Sequence, residues 1–269
     1  MELHYSILDP TGNITALVES PVEASKRPET ATKIMRLHPE VEQVGFLRPS
    51  GPDGLPALCM AGGEFCGNAS MCAAVLHVMR TGFSDKVLLH VSGAAQPVEV
   101  QLQQRSEASF CAELRMPPPI EIQEQEFAFE GVRTWLPLVR MEGISHLVVE
   151  GASPFFALLQ DRKRAECAVR EFCAQLGAEG LGLLFLKGES SVRSMTPLVY
   201  IPGSGTVFWE NSCASGSAAV GMYLAAKSHG DINVSLCEPG GTLHVTSHPA
   251  ADKTLLRGSV RYLMDCSGK

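Results

Sequence analysis

Residues 64–80 read EFCGNASMCAAVLHVMR, and residues 211–227 read NSCASGSAAVGMYLAAK. Each stretch opens with a polar turn that holds a cysteine and continues as a run of almost wholly apolar or small residues. Asn68 to Arg80 carries Ala69, Met71, Cys72, Ala73, Ala74, Val75, Leu76, Val78 and Met79; Ala214 to Lys227 carries Ala218, Ala219, Val220, Met222, Leu224, Ala225 and Ala226. A helix that is apolar on every side has no face to turn to water, so both runs are predicted to be buried helices. One structural unit is used twice, with Cys66 at the start of one helix and Cys213 at the start of the other.

The sequence around each run reads as β structure. Upstream of Cys66, Tyr5 to Leu8 and Thr15 to Val18 flank the turn Asp9-Pro10-Thr11-Gly12-Asn13 and predict a hairpin. Gln43 to Leu47, Ala57 to Met60, Val87 to Val91 and the alternation Val98, Val100, Leu102 predict further short strands. Pro117, Pro118 and Pro119 can continue neither a helix nor a ladder and mark a boundary. Past it, His146 to Val149, Leu183 to Leu186, Leu198 to Ile201, Thr206 to Trp209, Val234 to Cys237 and Leu243 to Thr246 again predict strands. Ala165, Ala168, Val169, Phe172, Cys173 and Leu176 form a one-sided helical stripe that Gly177 ends as a C-cap. The expectation is an α+β chain with an N-terminal lobe over 1–117, carrying Cys66, and a C-terminal lobe over 118–251, carrying Cys213.

Composition narrows the class of function. The 269 residues are 45% hydrophobic and 19% charged, as in a globular protein with a large core. A net charge of −7, with no basic tract beyond Arg162, Lys163 and Arg164, disfavours nucleic acid and anionic membranes and favours a small neutral or zwitterionic ligand. No apolar run approaches a membrane span and residues 1–8 hold no leader, which predicts a cytoplasmic protein. Nine scattered cysteines then predict reduced thiols. Structural zinc fits poorly, because C-x2-C pairs are absent and Cys59, Cys66 and Cys72 lie seven and six residues apart.

A cysteine at the entrance of a buried helix meets unpaired backbone N–H groups and the positive end of the macrodipole, which favour its thiolate. Small residues after each cysteine, Gly67 in one and Ala214, Ser215 and Gly216 in the other, leave the backbone open to an anion such as a carboxylate. Two such entrances sharing one cleft would place the α-carbon of an amino acid between two sulfurs. Removing an α-proton drives negative charge onto the carboxylate, where preorganised N–H donors count most; losing one costs about 3 kcal/mol. Inverting the centre needs a thiolate that takes a proton and a thiol that gives one, and such a pair titrates as a unit. An isolated cysteine is usually a small buried hydrophobe, and for the other seven that reading stands; Cys72 lies too far inside its helix to feel the end dipole.

At these residues the chain resembles the diaminopimelate epimerase superfamily. Cys66-Gly67-Asn68 matches its first cysteine segment, Cys213-Ala214-Ser215 its second, Pro10-Thr11-Gly12-Asn13 its early Gly-Asn turn and Pro239-Gly240-Gly241 its late turn, all in order. The resemblance implies two pseudo-symmetric lobes, each an antiparallel barrel-like sheet wrapped around a central helix, with a last strand within 252–269 returning to the first lobe. It further implies catalysis without pyridoxal phosphate or metal, and a homodimer. Ala57 and Gly205 stand where diaminopimelate epimerases hold the distal end of their substrate with Asn and Arg, and Gly143-Ile144-Ser145-His146 replaces a Gly-Asn-Pro-His segment. Diaminopimelate is therefore not the expected substrate.

The chain is more specifically similar to the histidine racemases of opine metallophore synthesis. Glu42-Gln43-Val44-Gly45-Phe46, Gly63-Glu64-Phe65-Cys66-Gly67-Asn68-Ala69, and Pro197 to Pro202 followed by Phe208-Trp209-Glu210-Asn211-Ser212-Cys213 carry that similarity. It implies a cofactor-independent exchange of L- and D-histidine, with Cys66 and Cys213 catalytic. The amides of Gly67, Asn68, Ala214 and Ser215 would take the carboxylate, Asn13 and Gln43 would line the cleft, and Glu42 would accept an imidazole N–H. Glu42 reads equally as a solvated acid and Asn13 as a turn residue. His146 reads first as a structural histidine.

Other readings stay open. A phenazine-type isomerase would use an acid in place of the thiols, and the proline racemases compared show Cys-Gly-His where this chain has Cys66-Gly67-Asn68. A non-catalytic thiol protein, switched by a Cys66–Cys213 disulfide or binding a metal, is the alternative from a different class. Exchange of an amino acid's α-proton with solvent separates it from a racemase.

Overall fold

A computed structural model describes residues 3–48, 53–203 and 205–268. Residues 1, 2 and 269, at the ends of the expected lobes, lie outside these. The chain divides into two units, one running to Met116 and resuming at Leu255, the other Pro117–Thr254.

In the first unit, β1 (Leu3–Pro10) and β2 (Thr15–Val18) form the expected hairpin. Thr11 and Gly12 both take positive φ, 61° and 96°, and Asp9 Oδ1 accepts the Gly12 N–H at 2.6 Å, so the chain reverses and delivers Asn13 into the interior. α1 (Arg27–Leu37) then leads to β3 (Gln43–Arg48) and β4 (Ala57–Met60). α2 (Gly67–Thr81) leads to β5 (Lys86–Val91), β6 (Val98–Ser106) and β7 (Ser109–Met116). The strands follow chain order from β1 to β7, and β16 (Lys253–Gly268) lies between β7 and β1, closing the ring. Alternation sorts the side chains. Ala16, Val18, Val44 and Phe46 pack outward under α1 with Ala31 and Ile34, whereas Leu17, Gly45 and Leu58 meet on the other face. α2 packs against β1, β2, β3, β5, β6 and β7, and every residue from Gly67 to Leu76 is buried. That burial is the outcome its all-round apolar sequence predicts.

The second unit repeats this order. β8 (Glu121–Phe129) pairs with β9 (Val132–Met141), β9 with β10 (Ile144–Glu150), and α3 (Arg162–Leu176) leads to β11 (Leu181–Lys187) and β12 (Val192–Ile201). A short β13 (Thr206–Trp209) folds back on β12, and α4 (Ala214–Ser228) leads to β14 (Ile232–Glu238) and β15 (Gly241–His248). α3 buries the predicted stripe against Phe127, Phe155 and Phe185, with Asp161 as its N-cap and Gly177 left-handed at its C-cap. α4 packs on the other layer, against β9, β10, β14 and β15.

The chain is α+β and dominated by sheet. The antiparallel sheets implied by the family resemblance need correction, because each unit is mixed: β2–β3, β4–β5, β10–β11 and β12–β14 are parallel. Parallel neighbours need a long crossover, and each of the four helices is one. α1, β8 and β9 carry no strong pattern in the sequence. Only Ala31 and Ile34 of α1 are buried, and β8 is largely charged and exposed over its first half.

Candidate active site

Each helix predicted to start at a cysteine does so, with that cysteine as its N-cap. Cys66 has φ −133° and ψ 112°, Cys213 φ −122° and ψ 101°, and each sulfur accepts an N–H from the third residue beyond it. Ala69 N lies 3.4 Å from Cys66 Sγ, and Gly216 N lies 3.3 Å from Cys213 Sγ. The thiol thus does at both helices what a serine or aspartate side chain does at an ordinary N-cap. Beyond each cap, Gly67 and Asn68 open α2, and Ala214 and Ser215 open α4, as the first two residues of the helix. Their N–H groups belong to the first turn, which has no intrahelical acceptor.

The first unit gathers three further predicted residues, Gln43, Asn13 and Glu42, around Cys66, with Thr15 linking them. The Cys66 thiol donates to Gln43 Oε1 across 3.0 Å, and Gln43 Nε2 donates to Thr15 Oγ1 at 2.7 Å. Thr15 in turn donates to the backbone oxygen of Asn13 at 3.0 Å, and Asn13 Nδ2 donates to Glu42 Oε2 at 3.0 Å. Asn13 is only 2% exposed, so it is more than a surface turn residue, and Glu42 is half-buried. The parallel pairing of β2 with β3, which sets Thr15 opposite Gln43, holds the network together. Behind it, Ser92 Oγ donates to Glu64 O at 2.8 Å and accepts the Met60 N–H at 2.9 Å, fixing the turn that carries Cys66. Gly93, at φ 74°, passes so close that a Cβ there would meet the backbone of Glu64 and Phe65.

The surroundings of Cys213 are more acidic. It is 4% exposed, and burial, with Glu210 and Glu238 beside it, pushes its thiol well above the ordinary range, the Ser215 hydroxyl acting the other way. A thiolate favoured by the helix entrance is the sequence expectation; at Cys213 burial acts against it. Ser215 Oγ sits 3.6 Å from Cys213 Sγ. Glu238 Oε2 accepts the Cys213 N–H at 2.7 Å and Oε1 accepts the Ser217 hydroxyl at 2.6 Å. Burial lifts the Glu238 carboxyl to about 8 against the pull of those two donors, with Glu210 adding to the rise.

Thr15, Ser217 and Glu238 are absent from the sequence-derived site. Glu238 had a signal: Val234, Leu236 and Glu238 occupy alternate, inward positions of β14, and an acid at the third of these demands a partner. His146 is fully buried on β10 and burial pushes its imidazole down to about 3, so it is a neutral ring at physiological pH. Cys72 is likewise buried, and burial raises its thiol well above the usual range. All nine cysteines are free thiols, and no cluster of three or more metal-ligating side chains forms among the described residues.

Residues 2–262 match the family model for the histidine racemase CntK N-terminal domain. The chain belongs to this histidine racemase family. It is 30% identical to a histidine racemase of Fusobacterium nucleatum over 253 residues, covering 90% of this chain and 87% of that one. It is 27% identical to a histidine racemase of Staphylococcus aureus over 270 residues, covering 96% and 94%. Among solved structures, a predicted epimerase from Pseudomonas aeruginosa superposes over 99% of both chains with a TM-score of 0.68 at 15% identity. That likeness carries the fold. The chain is an amino-acid racemase by family, and no helix among its described residues is long and apolar enough to cross a membrane.

Proposed function

We propose that this protein interconverts L- and D-histidine by moving the α-proton between Cys66 and Cys213, without a cofactor. The observation that carries the reading is the repeated cap: in a member of the histidine racemase family, a thiol at each of two buried helix starts accepts the N–H three residues on. One sulfur, as thiolate, takes the α-proton; the other, as thiol, returns a proton to the opposite face of the planar intermediate. The first-turn N–H groups of Gly67, Asn68, Ala214 and Ser215 hold the carboxylate oxygens, where charge accumulates as the α-proton leaves. The raised affinity of Cys213 for its proton suits it to be the donor when Cys66 is the base.

Glu42, oriented by Asn13, accepts an imidazole N–H and selects histidine. Gln43 bonds the Cys66 thiol and directs its proton, while Thr15 fixes the amide of Gln43. The expected setting is a cytoplasmic homodimer whose D-histidine enters opine metallophore synthesis; the support for this is the sequence similarity to the racemases of that pathway. Chiral chromatography of L-histidine incubated with reduced protein tests the activity. D-Histidine formed by the wild type and by neither single Cys→Ser variant supports the reading; a wild type that leaves the amino acid unchanged removes it.

A further inference from the structure

Glu238 lies on β14, 25 residues after Cys213 in sequence, yet its carboxyl group seals the start of α4. One oxygen accepts the N-cap N–H of Cys213 at 2.7 Å and the other the hydroxyl of Ser217, in the first turn and a half, at 2.6 Å. The residue is 8% exposed, and the Pro239-Gly240-Gly241 turn behind it is pinned by the Gly240 N–H on Asn211 O at 2.8 Å. A backbone amide or a serine would satisfy the same two donors without burying an ionisable group. A carboxyl group there costs more to bury and brings something a neutral group lacks, a proton that can leave.

Accepting the reading of Cys213 as a racemase thiol, we propose that Glu238 is a positioning residue for it. Its carboxyl fixes the entrance of α4, and its proton sets how much positive potential that entrance offers a thiolate and a substrate carboxylate. While Glu238 is neutral, its hydrogen bonds hold the Cys213 backbone and leave the N–H groups of the first turn to attract the two anions of the reaction. Once ionised, it sets a full negative charge beside the sulfur, cancelling the half-charge of the helix end and resisting thiolate formation. Among the described residues, the titratable groups that act on this cluster are Glu210, from the segment before α4, and Cys213 itself, while Ser215 and Ser217 from α4 add neutral hydroxyls. Burial keeps the proton on Glu238 up to about pH 8, so the entrance is open at neutral pH and closes on the alkaline side. At the Cys66 entrance the thiol bonds the amide of Gln43 and the turn is held by Ser92.

The test compares wild type with Glu238→Gln and Glu238→Ala. Two rates are followed from pH 6 to 10: α-deuterium uptake by histidine in D2O, and alkylation of Cys213 by iodoacetamide, read by peptide mass spectrometry without substrate. Glu238→Gln keeps an acceptor for the Cys213 N–H and should lose only a few-fold in kcat at pH 7. Its fall in kcat/KM above pH 8 should move up by a unit or more, and Cys213 alkylation at pH 9 should exceed the wild-type rate about tenfold. Glu238→Ala should lose kcat at every pH. Identical pH profiles for wild type and Glu238→Gln in both assays would overturn the proposal and leave the racemase reading intact. Absence of histidine exchange in the wild type alongside the predicted alkylation profiles would overturn the racemase reading and leave the hold of Glu238 on Cys213 standing.

Discussion

The Cys66 thiol points at Gln43, with 3.0 Å between Sγ and Oε1, and the far side of that amide is tied to Thr15 at 2.7 Å. The amide therefore presents its oxygen to the sulfur and its nitrogen to the hydroxyl, an orientation fixed by the parallel pairing of β2 and β3. Replacing Gln43 by Glu keeps the shape and sets a carboxylate against the thiol, which favours the protonated sulfur. We expect the acidic limb of kcat/KM to move upward by about one pH unit. Gln43→Leu should lower kcat by roughly tenfold, the cost of one hydrogen bond to the reacting group. Steady-state pH profiles of the two variants check both.

On the function proposed above, Glu42, held by Asn13 at 3.0 Å, selects histidine. Glu42→Gln should raise KM for histidine by about ten- to a hundredfold, as expected for a charge-assisted hydrogen bond of about 1.5 to 3 kcal/mol, and should change kcat far less. Unchanged histidine kinetics in this variant would remove Glu42 from the site.

Two buried ionisable groups of the second unit act on stability with opposite signs. The imidazole of His146 falls from 6.5 to about 3 on folding, so the unfolded chain binds a proton more readily and stability is lost as pH drops below 6.5. The carboxyl of Glu238 rises from 4.5 to about 8, so its contribution is full below 4.5 and is lost as pH rises through 8. Each slope is at most about 1.4 kcal/mol per pH unit, and between 4.5 and 6.5 the two cancel. Neither ring nitrogen of His146 has a hydrogen-bond partner among the described residues, so His146→Leu should be stabilising at pH 5 by about 2 kcal/mol relative to its effect at pH 8. Glu238→Gln should remove the decline between pH 6.5 and 8. Urea titrations of wild type and variants across this range read both effects.

Close backbone approach is the third lever. A Cβ on Gly93 would collide with the backbone of Phe65 and Glu64, beside the cysteine turn, and its φ of 74° disfavours a side chain. A Cβ on Gly221 would collide with the side chain of Val245, where α4 lies on β15. Gly221→Ala should cost about 1 to 3 kcal/mol, because Val245 can give way, and should leave catalysis largely intact. Gly93→Ala meets rigid backbone and should cost both stability and activity. Thermal melts and kcat for the pair separate the two outcomes.

What the sequence disclosed follows from how each element is buried. α2 and α4 are apolar all round because sheet surrounds or covers them, and α3 shows a stripe because one face meets solvent. α1 escaped notice because Ala31 and Ile34 alone supply its buried face, and β8 because Glu121, Gln123, Glu124 and Glu126 outnumber its inward residues. The hairpin turn placed Asn13, and the duplicated Cys segments placed both thiols at helix starts. Thr15 and Glu238 were hidden for another reason. Their roles depend on a cross-strand register and on a contact between residues 25 apart, and only the fold supplies these.

The most direct test of the central claim is α-proton exchange by reduced protein in D2O, following deuterium uptake and chirality for a panel of L-amino acids, with Cys66→Ser and Cys213→Ser alongside. Deuterium should enter histidine together with formation of the D-enantiomer, and both variants should lose racemisation. A wild-type protein that exchanges no amino acid in the panel, or a variant that racemises histidine with only one of the two thiols, would contradict the two-cysteine mechanism.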